Sequence, residues 1–332
     1  MTRPEETRQD VDPITLSTVW HGMQSIAREM RHVVDRTAQS YLIAQLHDMA
    51  AGIWDAQART IAVPEGPTSM FLSQHFAVEA ILEKFGDDLH PGDVIITNDP
   101  FKGHCNHLPD WGFIRPVFYE DELVFVLLTR GHQQDTGGSF PGGYFANGYD
   151  IHAEGLIIPP IKIYDRGVER SDVLELIWNN VRFPEGVKID NYALMAGLTV
   201  GEKRIHSLLD KYGKESVLNC VEEMLDRMEV NVRATITEIP DGTYFGESAT
   251  DDDGTTLDEQ VWVRCEATIA GDEMTLDFTE SDDQRTGFVN CVLASTYSRA
   301  VAGSFLFFDP EYSPFHNAGS MRPITPIAPE GS

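Results

Sequence analysis

The chain has 332 residues, and 53 Asp and Glu against 25 Lys and Arg give it a formal net charge of −28. This balance argues against a nucleic-acid-binding protein, because phosphates are neutralised by clustered Lys and Arg side chains. It also argues against electrostatic binding to anionic membranes. With 42% hydrophobic and 10% aromatic residues, the chain can bury a large core, which excludes global disorder.

The sequence carries no targeting signal and no disulfide pattern. No apolar run reaches the roughly 18 residues of a membrane span, and the polar N-terminus lacks the apolar stretch of a secretory signal. The four cysteines are far apart and form no CxxC pair, which is typical of reduced thiols. We therefore expect a cytoplasmic protein.

The first half of the chain combines one long helix with hairpins. Asp12 and Pro13 begin a predicted amphipathic helix that continues to about Ala38. The elements predicted next are a hairpin from Ile53 to Val63, a helix from Ser73 to Phe85, a buried strand from Asp93 to Thr97, and two strands, Gly112–Tyr119 and Leu123–Arg130. The glycine-rich segment Gly137–Tyr149 is predicted to be a loop.

The second half begins helical and then becomes β-rich. A strand is predicted over Leu156–Tyr164, where Pro159 and Pro160 would confine it to a sheet edge. The later predicted elements are the helices Ser171–Val181, Ile189–Tyr212 and Lys214–Ile236, the strands Thr243–Ser248, Gln260–Ile269 and Glu273–Phe278, and a helix over Val289–Phe308. No element is predicted for the proline-containing segment Met321–Ser332.

These elements predict an α+β fold in which antiparallel sheets and hairpins pack with long helices. Parallel winding is disfavoured, because the strands come in hairpins and do not alternate with helices. We expect two regions: residues 1–236, an α+β core that carries the candidate metal site, and residues 237–332, a β-rich part with one helix. We expect the second region to be incomplete at its C-terminus.

The strongest chemical signal is a repeated His-x-x-Asp motif, at His107–Asp110 and His132–Asp135. If Tyr119 pairs with Leu123 across the hairpin, Asp110 lies opposite His132, and directly opposed residues are about 5 Å apart. His107, three residues earlier, can fold back over the same point. Two imidazoles with one or two carboxylates suit Mn²⁺, Zn²⁺ or Fe²⁺ with an open coordination position.

The alternative is that these polar residues only cap the hairpin. His104 is another possible ligand in the same loop, and we take it together with Asp135 as the candidate catalytic residues. Asp99 is a carboxylate that can orient a ligand. Cys105 lies in the same loop, where a single cysteine is more often incidental.

Other motifs argue against several classes of chemistry. The segment Gly137–Tyr144 can bring backbone groups close to a substrate, but neither a P-loop nor a Rossmann fingerprint occurs, so nucleotide binding finds no support here. Asp251–Gly254 lacks the spacing of a calcium-binding EF-hand, and no GxSxG elbow supports serine hydrolase chemistry. His152 and Glu154 can line the same cleft as the glycine-rich loop.

Several motifs together resemble the hydantoinase B family, which includes the matching parts of hydantoinases and 5-oxoprolinases and the large subunits of acetone and acetophenone carboxylases. They are Asn98–Phe101, His107–Asp110, Arg130–Gly138, Glu154–Leu156, Ile158–Lys162, Gly201–Arg204, Asp241–Gly242 and Arg322–Gly331. The resemblance spans nearly the whole chain but only the N-terminal part of a typical member.

The resemblance implies a metal held by His107, Asp110 and His132, and an ATP-binding partner of the hydantoinase A type. It implies an enzyme that opens a cyclic amide or, as the alternative, carboxylates a ketone, with Asp135 orienting a ligand or acting as a general base. A non-catalytic scaffold protein is the alternative of another class, and we expect the fragment to be inactive alone. The stretch Lys102–Asn106 differs from the Gly-Gly-Thr usual in hydantoinase-type members, which leaves the metal and the substrate open.

Overall fold

The computed structural model describes residues 11–67, 70, 72–145, 147–308 and 315–331. Within these residues the α-helices are α1 (Pro13–Thr37), α2 (Tyr41–Ala44), α3 (Gln74–Phe85), α4 (Ser171–Trp178), α5 (Pro184–Tyr212), α6 (Lys214–Thr237), α7 (Leu293–Ser304) and α8 (Ala318–Met321). The strands are β1 (Met49–Asp55), β2 (Thr60–Ala62), β3 (Val94–Thr97), β4 (Asp110–Tyr119), β5 (Glu122–His132), β6 (Ile161–Asp165), β7 (Val168–Glu169), β8 (Gly242–Thr250), β9 (Val261–Ala270), β10 (Glu273–Asp277) and β11 (Ile324–Ile327). The predicted α+β class is therefore confirmed.

The long N-terminal helix α1 forms as the sequence predicts. The Asp12 carboxylate accepts a hydrogen bond from Thr15 N at 2.9 Å, and Pro13 occupies the first turn, where its missing N–H costs nothing. Leu16, Val19 and Met23 begin a buried stripe at helical spacing. None of the helices that the structure describes combines the length and apolar composition that a bilayer-spanning segment requires.

The larger sheet has seven strands in the order β2-β1-β5-β4-β3-β6-β7, and every neighbouring pair is antiparallel. Residues along each strand alternate between two faces. One face carries Phe113 and Leu127 into the main core with α1, α5 and α6. The opposite face carries Ile114 and Leu128 into a second core, where Val78 of α3 packs against them.

The turn between β4 and β5 differs from the prediction by one residue. Glu120 and Asp121 both have positive φ angles, 50° and 64°, so they form the two-residue turn that hairpins favour. Tyr119 therefore pairs with Glu122, and the predicted pairing of Tyr119 with Leu123 is wrong.

A bulge in the same hairpin compensates for the shorter turn. The register shifts by one position between Val117 and Phe118, because one strand carries an extra residue there. Beyond the bulge, Asp110 lies directly opposite His132, as predicted.

Two further differences concern prolines. Pro159 and Pro160 precede β6, and β6 pairs with both β3 and β7, so the prediction that it lies at a sheet edge is wrong. In the segment Met321–Ser332, the strand β11 forms although the sequence predicts no element there, and Pro326 is tolerated because β11 is an edge strand.

The smaller sheet has the order β11-β10-β9-β8, in which only the pair β10–β11 is parallel. Its inner face forms a third core from Ile269, Met274 and Ile324. Val232 and Ile236, near the end of α6, belong to this core, whereas the earlier turns of α6 belong to the main core. The boundary after residue 236 stays a proposal, and the two regions share this helix.

Candidate metal centre

Three side chains converge where β4 begins and β5 ends. His107 Nε2 lies 2.9 Å from Asp110 Oδ1, and His132 Nδ1 lies 3.3 Å from the same oxygen. One potential ligand atom from each residue lies within 4.8 Å of the other two. Asp110 and His132 are buried, and His107 is partly exposed, so the group can be reached from one side.

The local backbone explains why these residues meet. Cross-strand pairing brings Asp110 opposite His132, and the tight loop that follows β3 returns His107 to the same place. Asn98 holds this loop, because its amide donates to the Leu108 carbonyl at 2.7 Å and its oxygen accepts from Ile158 N at 2.7 Å.

A hydrogen bond anchors one ring nitrogen of His132. Its Nε2 lies 3.2 Å from the Gly142 carbonyl oxygen, which can only accept a hydrogen bond. Nε2 therefore carries a hydrogen, and Nδ1, which faces Asp110, is the nitrogen that an ion can bind once it carries none. This is the arrangement in which an imidazole binds a cation through one nitrogen while the other is anchored.

The charges in the group stabilise the ionised carboxylate. Burial disfavours the charged form of Asp110, but the adjacent His107 and His132 rings outweigh it and hold the pKa of that carboxyl well below its usual range. Burial likewise opposes the protonation of His107, yet the Asp110 carboxylate beside it raises the pKa of that imidazole. An oxygen with full negative charge therefore faces two nitrogens.

The donor set fits a divalent ion. Asp110 Oδ1 is buried and lies 2.9 Å from His107 Nε2, although the two atoms do not meet strict hydrogen-bond geometry. A protonated His107 can balance this buried charge, and a divalent cation can take the place of that proton. Two imidazole nitrogens and one carboxylate oxygen are ligands of Zn²⁺, Mn²⁺ or Fe²⁺.

Asp48 is a further acidic residue at this position, and no motif in the sequence predicts it. Its Oδ2 lies 3.8 Å from His132 Nδ1, and its carbonyl accepts a hydrogen bond from His132 N at 3.0 Å. Burial and the neighbouring Asp110 charge raise the pKa of the Asp48 carboxyl. The signal that could have found it is the pairing of β1 with β5, in which Met49 lies opposite Gly131.

Tyr144 of the glycine-rich loop covers the group and is likewise absent from the predicted site residues. Its ring stacks on His132 with centroids 5.4 Å apart and lies edge-on to His107 at 5.9 Å, while most of the side chain remains exposed. Partial burial, followed by the Asp110 and Asp48 charges, raises the pKa of Tyr144. The loop forms as predicted in the residues that the structure describes; residue 146 lies outside them.

The two candidate catalytic residues are not among the three converging side chains. Asp135 is buried, and its carboxylate accepts hydrogen bonds from Gly137 N at 3.1 Å and from the backbone and guanidinium of Arg182. His104 contacts the Phe76 ring at 6.0 Å between centroids and has a positive φ of 47°. Their catalytic roles stay predictions, and the role of Asp135 requires the Arg182 ion pair to open.

Other residues singled out in the sequence have mainly structural contacts. Asp99 accepts hydrogen bonds from Phe101 N and Lys102 N and so shapes the loop before His107. The Cys105 thiol is buried beside Arg130, at 3.4 Å from Nη2, and burial raises its pKa to about 11. It is therefore protonated at neutral pH and is not activated as a nucleophile.

Glu154 and His152 lie near the glycine-rich loop, and Glu154 interacts electrostatically with His107. Its carboxylate helps to raise the pKa of His107, and burial raises the pKa of Glu154 itself. His152 lies on the exposed surface.

The sequence matches known proteins along nearly its whole length. A family model described as hydantoinase B/oxoprolinase matches residues 12–332. The chain is 33% identical over 324 residues to the beta subunit of the caprolactamase from Pseudomonas jessenii, covering 97% of this chain and 55% of that protein. It is 30% identical over 348 residues to the B-type subunit of a putative D-/L-hydantoinase from Pseudomonas sp. (strain NS671), covering 100% of this chain and 58% of the relative. The chain thus spans about half the length of these relatives.

Two solved structures share the fold. The crystal structure of the ATP-dependent caprolactamase from P. jessenii matches 98% of this chain and 55% of its own, with a TM-score of 0.91 at 32% identity. An acetone carboxylase in its nucleotide-free form matches 97% of this chain and 44% of its own, with a TM-score of 0.87. At 21% identity, the second match supports a shared fold and nothing further.

Proposed function

The chain belongs to the hydantoinase B/oxoprolinase family, and on that premise we propose that it is the metal-binding catalytic part of an ATP-dependent enzyme that opens a cyclic amide. The names of the relatives support this reaction class, since they include a caprolactamase and a hydantoinase, and both relatives are subunits of larger enzymes. We propose a hydantoinase A-like partner that handles ATP, which agrees with the absence of a phosphate-binding loop in this sequence.

The observation that carries the proposal is the convergence of two imidazole nitrogens on one buried carboxylate oxygen. His107, Asp110 and His132 would hold a divalent ion, Mn²⁺, Zn²⁺ or Fe²⁺. Such an ion, when bound, polarises a carbonyl oxygen and makes the carbonyl group more reactive towards water.

The surrounding residues suit the handling of protons. Asp48 Oδ2 lies 3.8 Å from His132 Nδ1, close enough for its carboxylate to take a proton from a water molecule at the centre. Tyr144 can donate a hydrogen bond to a substrate at the exposed side of the group and can exclude water by covering it. We propose Asp48 and Tyr144 for these roles in preference to Asp135, whose carboxylate is held by Arg182.

The first test is the metal content of the chain purified without chelator or metal-affinity resin. We expect about one Mn, Zn or Fe per chain by elemental mass spectrometry, and loss of that metal in the double variant His107→Ala/His132→Ala. His152→Ala is the matched control, because this histidine is exposed and lies outside the group. Absence of metal from the wild-type chain would contradict the proposed metal centre and the mechanism that depends on it.

A ketone carboxylase is the second candidate, and the acetone carboxylase fold favours it only at the level of architecture. The complex reconstituted with its ATP-binding partner separates the two reactions. We expect ATP-dependent turnover of a lactam, hydantoin or 5-oxoproline and none of a ketone with bicarbonate. The reverse result would establish carboxylation. Activity that survives the double variant would instead favour a non-catalytic scaffold protein.

A further inference from the structure

A carboxamide connects the N-terminal end of helix α3 to the candidate metal centre. Asn106 Nδ2 donates to Asp110 Oδ2 at 3.1 Å, and Asn106 Oδ1 accepts from the Ser73 hydroxyl at 3.0 Å. Both contacts are made by one side chain that is partly buried, whereas Ser73 and Asp110 are fully buried. The three residues form a continuous path from the helix to the carboxylate.

The Ser73 side chain does not cap helix α3. Ser73 occupies the N-cap position of α3, where serine normally accepts a hydrogen bond from the first turn, but its side chain makes no such bond. Its hydroxyl lies 2.9 Å from the Met70 carbonyl oxygen and 3.0 Å from Asn106 Oδ1. Both neighbours are acceptors, so the single hydroxyl hydrogen of Ser73 is shared between Met70 and Asn106.

The contacts also define which way the carboxamide faces. An ionised carboxylate can only accept a hydrogen bond, so the NH₂ group of Asn106 must face Asp110. Asn106 Oδ1 is then directed at the Ser73 hydroxyl, which can donate to it. This leaves the other oxygen of Asp110 facing His107 Nε2 at 2.9 Å and His132 Nδ1 at 3.3 Å.

The loop that carries Asn106 is held tightly on the sheet. A Cβ atom at Gly103 would lie 2.1 Å from Thr97 Oγ1, so the loop backbone packs directly on β3. The Asp99 carbonyl accepts hydrogen bonds from Gly103 N and Cys105 N. Asn106 is thus presented to Asp110 from a fixed backbone position.

We propose that Asn106, whose amide oxygen lies beside the Ser73 hydroxyl, is a positioning residue that holds Asp110 in the rotation that presents Oδ1 to a metal. The inference rests on the proposed metal centre. Side chains that orient a metal ligand typically account for about 10- to 100-fold in metal affinity.

The test measures the affinity of the metal-free chain for Zn²⁺ and Mn²⁺ by competition with a chromogenic chelator. We expect Asn106→Ala and the nearly isosteric Asn106→Leu to bind each ion about 10- to 100-fold more weakly than the wild-type chain. Lys102→Ala is the matched control from the same loop, because its side chain is exposed, and it should bind as the wild-type chain does. Thermal unfolding of the metal-free variants shows whether the fold is retained.

Ser73→Ala provides a second variant that leaves Asn106 in place. We expect a smaller loss of affinity, and no further loss when Ser73→Ala is added to Asn106→Ala, because the path is already broken. Additive losses, or wild-type affinity in both Asn106 variants, would overturn the positioning role while leaving the metal centre intact. Failure of the wild-type chain to bind either ion would overturn the metal centre and this inference together.

Discussion

His316 is a buried histidine far along the chain from the candidate metal centre. Its ring stacks on Phe305 with centroids 3.7 Å apart, and its Nδ1 lies 3.1 Å from the Ser320 hydroxyl oxygen. Burial lowers its pKa from the ordinary 6.5 to about 4, because a charged imidazolium is poorly solvated there.

This lowered pKa makes stability depend on pH in a defined direction. Between pH 6.5 and 4 the unfolded chain binds a proton at His316 that the folded chain does not, so the stabilising contribution is complete above pH 6.5 and is lost as the pH falls towards 4. At about 1.4 kcal/mol per pKa unit, the loss approaches roughly 3 kcal/mol.

Replacement of the imidazole by a phenyl ring tests this contribution. We expect the free energy of unfolding of His316→Phe, measured with denaturant from about pH 4 to about pH 7.5, to fall less steeply on acidification than that of the wild-type chain. His75, whose pKa burial also lowers to about 4, retains its own contribution in both proteins. Equal slopes for the two proteins would contradict the assignment to His316.

Which site residues the sequence can predict depends on how local their contacts are. Asp110 and His132 belong to one hairpin, so counting residues across a single turn is enough to place them together. Asp48 reaches the same point only through the pairing of β1 with β5, two strands that are distant in the sequence. Nothing in the local pattern specifies such a non-local register.

At the scale of elements, two helical glycines differ in the space around them: Gly201 is closely packed and Gly303 is not. A Cβ atom at Gly201 of α5 would lie 2.5 Å from Met30 Sδ of α1 and 2.9 Å from Leu127 Cδ1 of β5. At Gly303 of α7, no atom of the described residues beyond the local helix backbone lies within 4 Å of the corresponding position. Close approach of α1 and α5 therefore depends on the first glycine and not on the second.

Alanine at each position should change stability with opposite sign. We expect Gly201→Ala to lower the free energy of unfolding by about 1–3 kcal/mol through overpacking. Gly303→Ala should raise it by about 0.5–1 kcal/mol, because alanine is the better helix former. Denaturant unfolding measures both changes, and a stabilised Gly201→Ala variant would show that the helices have room to separate.

The hairpin β4–β5 shows how far element prediction reaches. The runs of Val and Phe residues are sufficient to locate both strands, and their bounds agree with the prediction to within a few residues. The predicted turn length is wrong, because the left-handed backbone at Glu120 and Asp121 is not signalled by glycine or asparagine. The bulge at Val117 is equally invisible in the sequence, since it depends on how the finished sheet twists.

At the scale of the whole molecule, helix α6 belongs to two cores. Leu225 is fully buried in the main core, and Ile236, three turns later, is fully buried in the third core with the smaller sheet. The predicted boundary after residue 236 falls where this helix ends. Because one continuous helix contributes buried side chains to both cores, we expect the two regions to unfold together.

Matched alanine substitutions on α6 test whether the regions unfold together. We expect Leu225→Ala and Ile236→Ala each to cost about 2–5 kcal/mol and to shift one common transition in calorimetry. Two separate transitions, each moved by only one of the substitutions, would instead support the division at residue 236 as a boundary between independent folding units.

The hydrogen bond from His132 Nε2 to the Gly142 carbonyl has a consequence for the glycine-rich loop. If an ion binds through His132 Nδ1, the same ring joins the ion to the loop backbone. Any change that loop position makes to metal affinity is then matched by an equal change that the metal makes to the loop, because thermodynamic linkage is reciprocal.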